Sequence, residues 1–148
     1  MTRTANIHAT CVRIGRYGVL LLGPSGAGKS DLALRLIGRG AMLVADDRCD
    51  LGVERGRLVA RPPKTIAGLL EVRGLGIRKM RYAVSATIAL AVDLAGKIER
   101  LPDPQYYVVP QPLTLRQPPP LLALCAFEAS APDKVLLALR QSQLVKRI

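Results

Sequence analysis

The chain has 148 residues, of which 49% are hydrophobic and 22% are charged, and its formal net charge is +11 at pH 7. This length is sufficient for one hydrophobic core, and the composition excludes a disordered tail. The positive charge favours phosphate-bearing partners of any kind, yet aromatic residues make up only 3% of the chain and Trp is absent. Binders of single-stranded nucleic acid usually stack bases on aromatic side chains, so nucleic acid is a weak interpretation of the charge.

The sequence contains neither a membrane-spanning run nor a metal-binding cysteine pattern. No apolar stretch reaches the roughly 18 residues that a transmembrane helix needs, and residues 1–9 lack the apolar segment of a secretory signal. We therefore expect a cytoplasmic protein. Cys11, Cys49 and Cys125 show no CxxC spacing, and His8 is the only histidine. This pattern argues against a zinc site or a disulfide framework.

The first predicted elements form a strand, loop, helix, strand unit. Alternating apolar residues over 7–14 predict an edge strand, and residues 15–18 predict a hairpin turn after it. The apolar run 19–22 is typical of a strand that is covered on both faces. We then expect a largely buried helix that stops at residues 38–40, followed by a buried strand over residues 42–45.

The remaining elements are mostly strands. Residues 50–54 and 57–60 predict a hairpin around Arg55-Gly56. Further strands are predicted over residues 87–94 and 106–109.

Prolines crowd the segment 102–120 and exclude a helix from most of it. Pro132-Asp133 opens a predicted C-terminal helix over about residues 133–145, in which Leu144 is a candidate for packing on the body. We expect one domain over residues 1–148, with a nucleotide-binding core over about residues 6–100.

The strongest chemical signal is a phosphate-binding loop between the predicted strand 19–22 and the helix. Its sequence, Gly23-Pro24-Ser25-Gly26-Ala27-Gly28-Lys29-Ser30, matches the pattern GxxxxGK[S/T] completely. Glycines at these positions let several backbone N–H groups point inward as an anion-binding nest, to which the helix adds its positive end. Lys29 is suited to reach the β and γ phosphates, and the Ser30 hydroxyl is suited to bind Mg²⁺. We therefore predict that this loop binds ATP.

Two adjacent acids, Asp46 and Asp47, follow the predicted strand 42–45. Asp46 lies 17 positions after Lys29 (46 − 29), which is long enough for one helix and a return strand. We therefore expect both acids to emerge beside the phosphate loop at one edge of the sheet. One carboxylate there can hold Mg²⁺ while the other accepts a proton from an attacking hydroxyl, and the sequence alone does not assign the two roles.

Four segments together resemble the HPr kinase/phosphorylase family. They are His8 on the first strand, the loop 23–30, the segment 39–47, and the segment 70–77, which reads Leu-Glu-Val-Arg-Gly-Leu-Gly-Ile. Their order and spacing agree with the family over about residues 6–80, and the last motif is far more specific to the family than a phosphate loop is.

The resemblance implies an ATP-dependent kinase that phosphorylates a serine of HPr, the phosphocarrier protein of a bacterial phosphotransferase system. Many members also remove that phosphate by phosphorolysis. The implied fold is α/β, a mixed sheet with flanking helices, similar to the nucleotide core of phosphoenolpyruvate carboxykinases. The chain resembles a short form with only the catalytic domain, and members are usually hexamers.

The resemblance also implies roles for individual residues. The expected catalytic residues are Asp46 as the base, His8 beside it, and Lys29 on the phosphates. Mg²⁺ is expected to be held by Ser30, Asp47 and Glu71, and Arg73 is expected to shape the nucleotide site together with the loop 23–30.

Two other functions remain open at this point. A small-metabolite kinase of the P-loop class has a similar beginning, but such enzymes typically carry an arginine-rich lid and place the metal-binding acid on a later strand. A nucleotide-gated nucleic-acid-binding module is favoured only by the net charge, and its binding should weaken steeply with salt.

Overall fold

A mixed β-sheet forms the centre of the structure, a computed structural model that describes residues 3–147, with side chains up to residue 142. Together with the helices, the sheet gives the mixed α/β fold that the sequence predicts. The helices are α1 (Lys29–Ile37) and α2 (Ala131–Arg147), with a short 3-10 turn at Lys64–Ile66. The strands are β1 (Thr4–Ile7), β2 (Ala9–Ile14), β3 (Tyr17–Leu22), β4 (Met42–Ala45), β5 (Cys49–Glu54), β6 (Arg57–Arg61), β7 (Leu69–Val72), β8 (Gly76–Lys79), β9 (Ala86–Asp93) and β10 (Leu121–Ala123).

The order of the strands brings distant parts of the chain to one edge. The sheet runs β1-β5-β6-β9-β3-β2-β4, with β10 paired to β9, while β7 and β8 form a separate hairpin. Strand β2 is antiparallel to both of its neighbours, β3 and β4. Strands β3 and β4 therefore run in the same direction with β2 reversed between them. The ends of β3 and β4 and the start of β2 meet at the same edge of the sheet.

Strand β3 is buried on both faces, as its apolar run predicts. On one face, Leu21 packs in a cluster with Leu32 of α1 and Val135 of α2. On the other face, Leu20 packs against residues of β5, β6 and the proline-rich segment. Fully burying such a side chain contributes about 1.5–3 kcal/mol, so this strand fixes the position of the loop that follows it.

Helix α1 begins and ends as the sequence predicts but is less buried. It starts at Lys29 after Gly28, whose φ is 95°, and stops at Gly38. Leu34 is 36% exposed because one face of the helix borders an open cavity. Helix α2 starts at Ala131, two positions before the predicted residue 133. The predicted packing of Leu144 lies outside the described side chains.

Two strand predictions are wrong. Residues 7–14 do not form one edge strand. The strand is interrupted by a bend at His8, and β2, which follows, lies inside the sheet between β3 and β4. Residues 106–109 do not form a strand, and Tyr106 makes only an isolated bridge to Pro120. The facing segment 118–120 is all proline and has no N–H groups with which to continue a ladder.

Other elements agree with the sequence. The hairpin of β5 and β6 around Arg55-Gly56 is confirmed, and β9 matches the predicted strand 87–94 to within one residue at either end. Strand β10, which pairs in parallel with β9, is missing from the sequence-based prediction. Within the described part of the chain, no helix is long and apolar enough to cross a membrane.

Candidate active site

The glycine-rich loop joins the end of β3 to the start of α1. Lys29 is 6% exposed, and its Nζ donates to the carbonyl oxygens of Gly23 at 2.6 Å and Pro24 at 3.1 Å. Gly28 is required on two counts: its φ of 95° is unfavourable for other residues, and a Cβ there would lie 2.7 Å from Cβ of Ala126. The loop is therefore held tightly, with the ammonium group of Lys29 folded back onto it.

Asp46 is buried and accepts hydrogen bonds on both carboxylate oxygens. Its Oδ1 accepts from the hydroxyls of Ser30 at 2.6 Å and Thr10 at 2.9 Å. Its Oδ2 accepts from the backbone N–H of Glu71 at 3.0 Å. The side chain is only 7% exposed. Asp46 thus ties together the helix after the loop, strand β2 and the β7–β8 hairpin.

Asp47 has the opposite environment. Its side chain is 65% exposed, and its Oδ1 lies 2.6 Å from Nε2 of His8. Its backbone adopts a left-handed φ of 67°, and its N–H donates to the Thr10 hydroxyl at 3.3 Å. Such conformations in residues other than glycine are uncommon and concentrate at functional sites. Asp47 therefore presents an accessible carboxylate that His8 orients from behind.

A cavity of about 440 Å³ opens in front of the loop and the acids. Among the charged side chains on its wall, Lys29 and Arg73 are positive, whereas Asp31, Asp47 and Glu71 are negative. A polyanionic ligand in this cavity would meet the excess of carboxylates, and a divalent cation would offset the repulsion. The complete lining is Ser25, Gly26, Gly28, Lys29, Ser30, Asp31, Leu34, Asp47, Glu71, Val72, Arg73 and Phe127.

Most of the predicted site residues come together here. Of the loop, Gly23 and Pro24 contact Lys29 rather than the cavity, and Ala27 packs against the core below it. Asp46 lies behind Ser30, and His8 lies behind Asp47. The remaining predicted residues line the cavity directly: Ser25, Gly26, Gly28, Lys29, Ser30, Asp47, Glu71 and Arg73. Both acids thus lie beside the loop, as their spacing predicts.

The contacts do not favour the roles that the resemblance implies for the two acids. A base must be reachable by the incoming hydroxyl, and Asp46 is enclosed by three donors. Asp46 lies next to the Ser30 hydroxyl, which makes it the acid better placed for the metal site. Asp47 contacts His8 instead.

The oxygen-rich donor set suits Mg²⁺ bound together with phosphates. Among the described residues, no three His, Cys, Asp or Glu side chains are grouped to hold a metal by themselves. Mg²⁺ in nucleotide sites is typically bound by one or two protein oxygen ligands, substrate phosphates and water. The Ser30 hydroxyl with the carboxylate of Asp46 at 2.6 Å fits that requirement.

Five residues of the site are missing from the sequence-based prediction: Thr10, Asp31, Leu34, Val72 and Phe127. Thr10 could have been found, because it lies two positions after His8 in the strand predicted over residues 7–14, and alternation in such a strand places both residues on one face. Asp31 and Leu34 lie on the helix directly after the loop, one turn apart. Phe127 carries no local signal.

These features define an α/β protein with a glycine-rich, anion-binding strand–loop–helix and an acidic pair at the mouth of the loop. A family model described as the HPr Serine kinase C-terminal domain matches residues 1–94. The chain belongs to this family, and membership indicates an enzyme of the kinase/phosphatase type.

The fold is also similar to a solved structure described as the HPr(Ser) kinase/phosphatase from Coxiella burnetii. The TM-score is 0.79 at 24% sequence identity, and the match covers 97% of this chain and 99% of the other. This likeness supports the architecture described above, including the segment after residue 94 that the family model does not reach.

Proposed function

We propose that the protein is an ATP-dependent, Mg²⁺-requiring kinase that transfers the γ-phosphoryl group of ATP to a serine of HPr. Family membership supports the class of enzyme. The site supports the reaction, because phosphoryl transfer depends on alignment and charge neutralisation rather than on covalent catalysis by the protein.

The glycine-rich loop and Lys29 are proposed to bind the phosphates. In the structure, Nζ of Lys29 donates hydrogen bonds to the carbonyl oxygens of Gly23 and Pro24. Phosphate oxygens entering the loop would take over part of this hydrogen bonding, and the backbone N–H groups at the start of α1 have no intrahelical acceptors of their own. Arg73, exposed on the cavity wall, adds a second positive charge.

Ser30 and Glu71 are proposed to hold Mg²⁺, and Asp46 is proposed to position Ser30. Ser30 would ligate through its hydroxyl, Asp46 would orient that hydroxyl from behind, and the exposed side chain of Glu71 would complete the protein's contribution. Bound Mg²⁺ neutralises the charge of the phosphate oxygens, which the carboxylates of the cavity would otherwise repel.

Asp47 is proposed to be the base, with His8 as its partner. The observation that carries this proposal is the contrast between the two adjacent acids: Asp46 is 7% exposed with both oxygens engaged, and the Asp47 side chain is 65% exposed on the cavity. Asp47 would accept the proton of the incoming serine hydroxyl as its oxygen attacks the γ-phosphorus. For phosphorolysis, we propose that inorganic phosphate held by the loop attacks the phosphorus of the phosphoserine, so that a P–O bond to pyrophosphate forms as the bond to the serine oxygen breaks, while Asp47 returns a proton to that oxygen.

The proposal is tested with HPr, Mg²⁺ and labelled ATP, by comparing Asp46→Asn with Asp47→Asn. A lost general base typically costs 10²- to 10⁴-fold, so we expect Asp47→Asn to lower kcat by about that factor while MgATP affinity changes little. Asp46→Asn should instead raise the Mg²⁺ concentration that is needed for half-maximal activity, by about 10- to 100-fold. Asp103→Asn, an exposed acid in the proline-rich segment, is the matched control.

Two results would contradict the proposal. Full kcat in Asp47→Asn, with a loss in Asp46→Asn that added Mg²⁺ does not restore, would return the role of base to Asp46. Absence of label on HPr at any salt concentration, while ATP is bound, would overturn HPr as the substrate and favour the small-metabolite kinase.

A further inference from the structure

Phe127 occupies an unusual position on the wall of the candidate active site. It is the only phenylalanine of the chain, and it is 65% exposed. Apolar side chains of this size usually contribute to the core, where burial contributes about 1.5–3 kcal/mol. Phe127 instead faces the cavity in front of the glycine-rich loop.

The segment that carries Phe127 is fixed to helix α1 rather than loose. The guanidinium of Arg35 donates to the carbonyl oxygens of Ala126 and of Glu128, the latter at 3.2 Å. Lys134 of α2 holds the Glu128 carboxylate at 2.7 Å. The neighbour Ala126 is fully buried. Since both flanking residues are anchored, the fold sets the position of the Phe127 backbone beside the cavity.

The ring lies directly against the phosphate-binding loop. A Cβ built on Gly28 would be 3.1 Å from Cζ and 3.2 Å from Cε1 of Phe127. The edge of the ring therefore approaches the backbone of the residue that precedes Lys29.

The cavity wall combines apolar and charged side chains. Phe127, Leu34, which is 36% exposed, and Val72 supply the apolar lining. Lys29, Arg73 and the carboxylates supply the charged lining. A nucleotide combines the same two kinds of surface, a flat apolar base and charged phosphates.

We propose that Phe127 is the stacking platform for the nucleobase of the nucleotide whose phosphates occupy the loop 23–30. This inference rests on the proposed binding of ATP by that loop. Stacking of a base on an aromatic side chain increases affinity by roughly 5- to 100-fold, without reading the edges of the base.

The first test measures binding of MgATP and of inorganic tripolyphosphate to the wild type and to Phe127→Ala. Tripolyphosphate presents a phosphate chain without a base. We expect Phe127→Ala to weaken MgATP binding by roughly 5- to 100-fold and to leave tripolyphosphate binding unchanged. Tyr106→Ala removes another exposed aromatic ring, 59% exposed and outside this cavity, and should change neither.

The second test uses Phe127→Trp as a reporter, since the native chain contains no Trp. Adding MgATP should quench the indole fluorescence, and the variant should bind MgATP at least as well as the wild type, because indole also stacks on a base. Adding tripolyphosphate should leave most of the fluorescence in place.

The outcomes separate this inference from the proposed function. Equal loss of MgATP and tripolyphosphate binding in Phe127→Ala would mean that the ring only supports the loop, and unchanged MgATP binding would mean that the base lies elsewhere. Either result overturns the stacking role of Phe127, but it does not contradict the proposal that the loop 23–30 binds ATP. A wild type that binds neither ligand would overturn the proposed function and this inference together.

Discussion

Thr10 connects the two acids of the site, and its hydroxyl is a sensitive point for both stability and activity. The side chain is fully buried on β2, donates to Oδ1 of Asp46 at 2.9 Å and accepts from the N–H of Asp47 at 3.3 Å. Thr10→Val keeps the shape of the side chain and removes both hydrogen bonds. A hydrogen bond to a charged group contributes about 1.5–3 kcal/mol, and the lost hydrogen bond from the partly buried N–H of Asp47 adds about 0.5–1 kcal/mol. We therefore expect a loss of about 2–4 kcal/mol in the free energy of unfolding.

Urea denaturation measures this loss. At a slope of about 2 kcal/mol per molar, the expected change corresponds to a midpoint about 1–2 M lower, with the slope itself unchanged. Thr87→Val on β9 is the matched control, because no hydrogen bond of its hydroxyl is found among the described residues, and it should shift the unfolding free energy by less than about 0.5 kcal/mol. Thr10→Ser, which keeps the hydroxyl, should retain the proposed kinase activity on HPr.

The Thr10 reasoning fails if the valine variant behaves like the control. A loss below about 0.5 kcal/mol together with wild-type activity would show that the two hydrogen bonds neither stabilise the fold nor hold Asp47 in its left-handed conformation. A loss of activity in Thr10→Ser as large as that in Thr10→Val would show that the hydroxyl alone does not account for the effect, because serine keeps the hydroxyl and lacks only the methyl group.

Three further predictions concern the backbone, a buried thiol and a surface ion pair. Gly28→Ala and Gly40→Ala replace glycines at φ of 95° and 104°, but only Gly28 is crowded, so its variant should lose about 1–3 kcal/mol more in urea denaturation, and equal losses would contradict the packing argument. Burial raises the pKa of the Cys11 thiol, so Cys11→Ala should lower the number of thiols that react with a disulfide reagent in the unfolded chain but not in the native one; a lower native count would refute this. The hydrogen bond from Arg61 lowers the pKa of Glu54; because the folded pKa is depressed, the pair stabilises above about pH 4.3 and this is lost as pH falls through the lowered pKa. Arg61→Met should therefore raise the Glu54 pKa in an NMR titration. An unchanged pKa would show that the ion pair between Glu54 and Arg61 does not form in solution.

Local patterns predicted the elements whose formation depends on neighbours in the sequence. The apolar run of β3, the glycines of the loop and the stop of α1 at Gly38 are short-range signals, and each was found where it was expected. The position of β2 was mispredicted because alternation shows which residues are apolar but not how many strands pair with them. Strand β2 has a partner on each side, and one of them, β4, begins 28 residues after β2 ends (42 − 14).

The site was predictable in its location but less so in its internal contacts. The spacing from Lys29 to the acids was sufficient to place them at the loop. The environments of Asp46 and Asp47, however, depend on Thr10 from β2 and on the backbone of Glu71, and neither contact has a local signature. Phe127 reaches the loop across 99 positions (127 − 28) through a segment held by Arg35, which no periodicity could indicate.

The reversal of β2 between β3 and β4 separates the parts of the site along the chain. The proposed phosphate-binding loop is encoded by residues 23–30, whereas His8, which contacts Asp47, lies before it in the chain, between β1 and β2. Because His8 does not line the cavity, we expect substitutions at this position to alter the proposed base with little effect on nucleotide affinity. In the proposed arrangement, the partner of the base can therefore change without any change in the loop that binds the phosphates.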